Sequence, residues 1–409
     1  MNLRPVTLIG IVISMVTGVA LGIIGYRSWL EPSGGSTHAR AFDEVLNHVH
    51  ANYVDTLDKE TLVTSALKGM LQNLDDHSLF LDERGYRDLQ AETTGQFGGI
   101  GIEIGLEDER FTVIAPIDDT PAERAGLAAG DRIIEIDQAP LAGRNLMEVV
   151  DLLRGEPGSD VDLRLDRDGE TRDVTLTRAL IELASVSGRL LEPGVGYVRI
   201  AQFQTATAAA FEAMLTDLAR QSAGTPAGQP AGALAAQPAG ALAGLVLDLR
   251  DNPGGVLQAS VAVADLLLDD GMITYTEGRL PSSNLQYRAA RGDRLNGAPV
   301  AVLINRGSAS AAEIVAGALQ DHGRATVLGS RSYGKASVQS VVPVAGQQAI
   351  KLTTAHYYTP GGRNIDHAGI TPDVELARGE ESAEAFDARL LAEAVKVVKL
   401  GARSLQAKR

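Results

Sequence analysis

An α/β fold is predicted for this chain, with a smaller β-rich unit set into it, on three observations. After about residue 180, apolar runs such as Gly244-Leu-Val-Leu-Asp-Leu-Arg250 and Ala301-Val-Leu-Ile304 alternate with helix-like stretches, the pattern of an α/β core. From Gly95 the texture is glycine-rich, with short strands bounded by turns. Ahead of that, residues 38–94 read as helical behind an uncharged amino-terminal run. At 409 residues, two or three domains are expected.

Taken in order, 22 residues without a charge lie between Arg4 and Arg27. As a helix they would span ~33 Å, enough for a hydrocarbon core of ~30 Å. A cleaved signal peptide has a shorter apolar region, and no convincing Ala-x-Ala site precedes the rest of the chain. Residues 1–30 are therefore expected to be an uncleaved signal anchor, a transmembrane helix with Tyr26 and Trp29 at the far interface. That implies a single pass of the cell inner membrane, with the bulk of the chain on the periplasmic, extracytoplasmic side of a diderm cell. Glu31-Pro-Ser-Gly-Gly-Ser36 is a linker. Phe42, Val45, Leu46 and Val49, then Leu62, Ala66, Leu67, Met70 and Leu71, recur at helical spacing and complete a linker and helical region over 31–94.

The next stretch holds Phe97-Gly-Gly-Ile-Gly-Ile-Glu-Ile104, Thr120-Pro-Ala-Glu-Arg-Ala-Gly-Leu127 and Ala129-Gly-Asp-Arg-Ile-Ile-Glu-Ile-Asp137. This order of opening loop, short helix and strand resembles a PDZ domain, placed at 95–178. Asn145 to Leu153 reads as its second helix, and 161–165 and 171–177 as closing strands. The resemblance implies that a peptide adds as a strand while loop amides take its terminal carboxylate. The peptide-binding candidates are the amides of Phe97, Gly98, Gly99 and Ile100, with Arg154 at the helix end; a solvated arginine is the plainer reading of the last.

The core is expected over 179–376, with Gly196-Tyr-Val-Arg-Ile200 a strand and 206–220 an amphipathic helix. Gln229-Pro-Ala-Gly-Ala-Leu-Ala235 recurs as Gln237-Pro-Ala-Gly-Ala-Leu-Ala243, an expanded low-complexity loop within 223–243 to which no function is assigned. A helical tail over 377–409 carries Phe386, Leu390, Ala394 and Val397 on one face, which leaves packing and dimerisation both open.

Composition excludes several chemistries. Zero cysteines rule out disulfides and thiolate catalysis, and a net charge of −15 argues against nucleic acid as partner. No His-Glu-x-x-His, phosphate loop or Gly-x-Ser-x-Gly elbow occurs, and no metal or organic cofactor is implied. His48 and His50 stand two apart, so on a helix they diverge.

The most telling residues are Ser310, in Gly307-Ser-Ala-Ser-Ala-Ala-Glu-Ile314, and Lys335, in Tyr333-Gly-Lys-Ala-Ser-Val-Gln339. Ser310 falls between a strand and a helix, where nucleophiles on other folds sit near free helix amides. A serine hydroxyl needs a base, and a lysine serves only when neutral, which burial or positive neighbours can bring about. Gln339 follows Lys335 by four residues and would orient the amine if that stretch were helical. Ser308 is the competing serine.

Here the chain resembles the carboxyl-terminal processing peptidases, or tail-specific proteases, over roughly residues 40 to 400. The resemblance implies catalytic Ser310, Lys335 and Gln339. From Asp248-Leu-Arg-Asp-Asn-Pro-Gly-Gly255 it implies an oxyanion hole of Gly254 or Gly255 with Ala311. Leu74-Asp-Asp-His-Ser78, His356-Tyr-Tyr-Thr-Pro-Gly-Gly-Arg363 and Gly369-Ile-Thr-Pro-Asp-Val374 match further family motifs, and His77 is read as structural. The implied core is a ClpP/crotonase-like spiral. The implied activity is a serine endopeptidase that cleaves proteins near their carboxyl ends, its PDZ domain recognising or gating the tail. Its partners would be proteins or peptides with free C-termini; a homo-oligomer or an activating partner is left open. An inactive PDZ adaptor and a crotonase-like acyl-CoA enzyme are the rivals: hydrolysis of an unfolded protein separates the first, CoA binding the second.

Overall fold

The computed structural model describes residues 37–107, 109–224, 242–290 and 292–407. The expected membrane anchor therefore lies outside the described residues. Among those that are described, no helix is long and apolar enough to cross a membrane, so the inner-membrane, periplasmic placement is withdrawn as unsupported.

Residues 37–80 form a unit of their own. It holds α1 (Thr37–Asn52) and α2 (Lys59–Gln72), the latter capped by Asp58, whose carboxylate accepts the Thr61 amide. Phe42 and Val45 of α1 are 43% and 63% exposed, so the stripe seen in sequence is not core within this unit. Asp75 accepts the amides of His77 and Ser78 and the Ser78 hydroxyl, which makes His77 part of a tight turn. Strand β1 (Leu79–Leu81) follows.

The second unit begins with α3 (Glu83–Thr94), capped by Asp82 and stopped by Gly95 at φ 74°. Then come β2 (Gln96–Gly99), β3 (Ile102–Glu107), β4 (Arg110–Pro116), α4 (Pro121–Arg124), β5 (Arg132–Ile136), β6 (Ala139–Pro140), α5 (Leu146–Leu153), β7 (Asp160–Arg167) and β8 (Glu170–Thr177). Strands β3, β4, β5, β7 and β8 form an antiparallel sheet in that order. Alternate residues of these strands, Val113, Ile136 and Leu163 among them, are buried with Val149 of α5. Asn145 and Glu148 cap α5 reciprocally, and the helix lies against β3, the edge strand.

One sequence expectation changes here. Residues 97–99 do not form an open loop: β2 pairs antiparallel with β9 (Ala179–Glu182), closing the entry of the domain against its exit. A Cβ on Gly98 would stand 2.0 Å from the Gly155 carbonyl, so its glycine serves a close backbone approach. The turn that leads into β3 is Ile100-Gly101.

The remainder comprises β10 (Val186–Glu192), β11 (Val195–Ile200), α6 (Thr207–Gly224), β12 (Gly244–Asp248), α7 (Leu257–Asp265), β13 (Gly271–Gly278), β14 (Gln286–Ala289), β15 (Val300–Ile304), α8 (Ala311–Asp321), β16 (Ala325–Gly329), β17 (Ser337–Val344), β18 (Gln348–Tyr358), β19 (Val374–Glu375) and α9 (Ala383–Ala407). Strands β11, β12, β15, β16 and β19 run parallel, with β10 antiparallel on the outer edge. One face (Leu245, Leu247, Val300, Val302) packs on α6, α7 and α8. The other (Val246, Ala301, Leu303, Leu328) packs on Leu390, Ala394 and Val398 of α9. Burial on both faces explains the unbroken apolar runs of β12 and β15. The apolar face of the terminal helix thus packs on this sheet. A second antiparallel sheet joins β14, β13, β18 and β17. Most of the repeat, residues 229–241, lies outside the described residues.

Candidate active site

Strand β15 ends at Ile304, and the chain turns through Asn305–Ala309 into α8 at Ser310. Ser310 adopts φ 53° and ψ −113°, a sparsely populated conformation for a side-chain-bearing residue. The turn is held from several sides. Ser308 is buried; its hydroxyl donates to the Leu249 carbonyl at 2.7 Å and accepts the Asn305 amide at 2.9 Å. Its hydroxyl is engaged in locking the turn, whereas Ser310 lines the cleft. The Ala309 amide donates to Asn252 at 2.9 Å, and Asn305 exchanges two hydrogen bonds with Asp251. The Ser310 turn is thereby bonded to the Asp251–Gly255 loop at the end of β12.

That loop separates the two glycines. Gly254 donates its amide to Asn252 Oδ1 at 2.9 Å, and a Cβ placed there would come 2.7 Å from Ser310 Cβ. Gly255 is exposed and lines the cleft, alongside Ser310 and Ala311. The loop is anchored behind by Asp248, which is buried and accepts Tyr197 Oη at 2.8 Å and Arg250 Nη2 at 2.6 Å. Arg250 reaches on to Asp387 of α9 at 2.6 Å. Burial, then the neighbouring Asp248 carboxylate, push the Tyr197 hydroxyl up to about 12.

The cleft holds about 610 Å³, and Ser310, Lys335 and Gln339 all line it. Lys335 is half-buried just before β17. The Lys335–Gln339 stretch is not helical: it enters a strand, with a bulge between Val338 and Gln339. Extended chain rises ~3.3 Å per residue, so the helical spacing argument for Gln339 fails. Its amide donates instead to Ser337 Oγ at 2.9 Å.

Sequence reasoning missed Glu313. Its carboxylate is buried and accepts the amides of Ser310 (2.7 Å), Gly334 (2.7 Å) and Lys335 (3.0 Å) and the Ser332 hydroxyl (2.6 Å). Burial pushes this carboxyl above its ordinary value, and the four donors pull it part of the way back. A signal was present, since Ser310-Ala-Ala-Glu313 has the spacing of a helix capping box.

Arg154 and the segment 97–100 lie in the domain of β3 and α5. Arg154 bonds Asp88 of α3 at 2.6 Å, and its guanidinium lies 5.1 Å over the Phe97 ring. Its Nε is buried with no hydrogen-bond partner among the described residues. Arg84 of α3 pairs with Asp151 of α5 at 2.8 Å. Helix α3 in turn lines the cleft through Leu89 and Thr93.

Residues 194–376 match the model of peptidase family S41, and residues 98–177 that of a PDZ domain. A carboxy-terminal-processing protease of Bartonella bacilliformis is 41% identical over 335 residues, covering 81% of this chain and 74% of that protein. This chain belongs to peptidase family S41. It is accordingly a serine peptidase with a PDZ domain. The S41 relative named carboxy-terminal processing protease CtpA, of Bacillus subtilis, is 30% identical over 88% of this chain and 74% of its own length. A solved structure titled photosystem II D1 C-terminal processing protease aligns at 32% identity and a TM-score of 0.45, covering 83% of this chain and 93% of that one.

Proposed function

We propose that this S41 peptidase cleaves proteins near their carboxyl ends, with Ser310 as nucleophile and Lys335 as general base. The observation that carries the reading is the convergence of Ser310 and Lys335 on one cleft, the serine at a strained strand-to-helix turn. Neutral Lys335 takes the hydroxyl proton as Ser310 attacks the scissile carbonyl, then returns it to the leaving amine. The tetrahedral oxyanion is received by the amides of Gly255 and Ala311; Gly254, whose amide is engaged with Asn252, serves by fitting closely against Ser310. Gln339 shapes the cleft floor from β17.

The PDZ groove between β3 and α5 takes the substrate tail by strand addition on the free edge of β3. The carboxylate then meets the turn around Ile100, with Arg154 at the end of α5 as a nearby positive charge. Relatives named as carboxy-terminal processing proteases support this reading. The divisions 95–178 and 179–376 belong to it, the matched spans falling inside them. So does the ClpP/crotonase-like spiral, supported by the parallel ladder with intervening helices.

The test is incubation with tailed peptide libraries, reading cleavage by mass. Parent enzyme is expected to trim near free carboxyl ends, and Ser310→Ala and Lys335→Ala each to abolish it while remaining folded. Substantial cleavage by Ser310→Ala would refute the assignment.

A further inference from the structure

Tyr357 is a fully enclosed tyrosine, 1% exposed, in strand β18. A buried phenol is normally accounted for by one hydrogen bond that satisfies it. This hydroxyl instead stands 3.0 Å from the main-chain carbonyl of Ser310 and 2.5 Å from that of Lys335. The Tyr357 amide also donates to the Ala336 carbonyl at 2.8 Å, pinning the residue after the lysine.

Nucleophile and base lie on separate segments, 25 positions apart: Ser310 opens α8, and Lys335 stands in the loop between β16 and β17. Their amides are gathered by the Glu313 carboxylate and their carbonyls by the Tyr357 hydroxyl. A carboxylate is acceptor-only and a phenol supplies a proton, so the two groups match the two polarities of the main chain. The phenol has a single proton set among the two carbonyls and the Glu313 carboxylate, so it restrains the separation of the segments that carry them rather than merely satisfying itself. Burial and the nearby carboxylates of Glu313 and Asp366 drive the phenol well above its usual range, which keeps it a donor throughout the working pH.

We infer that Tyr357 is a positioning residue for the peptidase reaction: its hydroxyl bridges the carbonyls of Ser310 and Lys335 and sets the distance over which the proton passes from one to the other. The inference rests on the Ser310–Lys335 reading above. It concerns geometry, not substrate contact, and so touches kcat rather than KM. Small misplacements of reacting groups can cost about 100-fold in rate.

The test is Tyr357→Phe in the full chain, which removes one oxygen and keeps the ring. Two readouts are taken: kcat and KM on a cleavable peptide, and labelling of Ser310 by a fluorophosphonate, followed as both rate and final stoichiometry. The expected result is a fall in kcat of about 10- to 100-fold, with KM within about twofold. Labelling should slow by a similar factor yet still reach the stoichiometry given by the folded fraction. Because only folded sites label, the rate per labelled site is independent of how much protein folds. Tyr358→Phe, at the next residue of β18, whose ring stacks on that of Tyr275 with centroids 5.1 Å apart, is the control and should keep the parent rate.

A labelling rate per site equal to the parent's would overturn the inference, whether activity is kept or is lost only in proportion to the folded fraction. A phenylalanine chain with no folded fraction at 10 °C would also overturn it, since the hydroxyl would then be a requirement of the fold. Failure of the underlying reading looks different: there Ser310→Ala would itself retain labelling or cleavage.

Discussion

Ser310 sits where a neighbour with a side chain would collide. Gly254 has φ 105°, and a Cβ there would stand 2.7 Å from Ser310 Cβ and 2.9 Å from the Ala309 carbonyl. Gly254→Ala must therefore move the nucleophile turn or the loop that carries Gly255. The expected outcome is a kcat/KM loss of about 100-fold or more, the size of removing one oxyanion donor, read by peptide hydrolysis beside a thermal melt that shows folded protein. Lys335→Arg keeps the charge but leaves a guanidinium that stays protonated, so it should be as inactive as the alanine variant. For the parent enzyme kcat/KM should climb with pH, because only the free amine accepts the serine proton. A profile flat from acid to neutral pH, with chemistry rate-limiting, would contradict a lysine base. Ser310 and Lys335, the residues proposed for the chemistry, were both singled out from the sequence, and the fold brings both to one cleft. Glu313 reads as an ordinary helix residue, and Tyr357 stands in a family-like motif, His356-Tyr-Tyr-Thr-Pro-Gly-Gly-Arg363, that by itself gives it no role. Apart from the Ser310 amide three residues from Glu313, their partners lie 19 to 47 positions away.

Among the elements, the PDZ sheet offers the clearest electrostatic test. Asp131, 1% exposed, accepts two hydrogen bonds from Arg167 of β7 and one from the Ala128 amide. Burial raises its pKa, but the Arg167 hydrogen bonds, the Ala128 amide and the charges of Arg167 and Arg172 outweigh burial and leave it lowered. A carboxyl whose folded pKa lies below its unfolded one stabilises above the ordinary carboxylate range and loses that contribution as pH falls through the folded value. Asp131→Asn should lower the PDZ melting transition by a few degrees at neutral pH. The gap from the parent should close on acidification; a gap unchanged down to strongly acid pH would assign the effect to packing. Most strands and helices were visible as periodicity, including Asn145 to Leu153. The stretch after Lys335 was not, because Ala336, Val338 and Val341 suit a strand or a helix face alike, and pairing with β18 decided it.

On the scale of the whole molecule, the question is how a tail held in the PDZ groove reaches the cleft. The pairs Arg84–Asp151 and Arg154–Asp88 tie α5, one wall of the groove, to α3, which lines the cleft. Amidating the carboxyl end of a good substrate removes the charge that the loop amides and Arg154 would meet. A charge-assisted hydrogen bond of about 1.5–3 kcal/mol corresponds to a roughly 10- to 100-fold loss in kcat/KM. The comparison is made between free-acid and amidated peptides in the intact enzyme and in a variant lacking residues 95–178. Equal cleavage of the two peptides by the intact enzyme would mark the domain as a gate over Ser310 and not a reader of tails, and the deletion variant should then be the more active.

The sequence by itself determined that disulfides and thiolates are absent, that a PDZ domain precedes an S41 core, and that Ser310 and Lys335 are the candidates for the chemistry. These are carried by local periodicity and by residue types whose chemistry is intrinsic. The tertiary structure alone decided which serine faces the cleft, which glycine amide is already engaged, that residues 97–99 close a sheet and that Gln339 rides a strand. All but the Gly254 amide, which bonds Asn252 two residues away, depend on a hydrogen-bond partner distant in sequence, and a buried donor or acceptor takes whichever partner the folded chain brings to it.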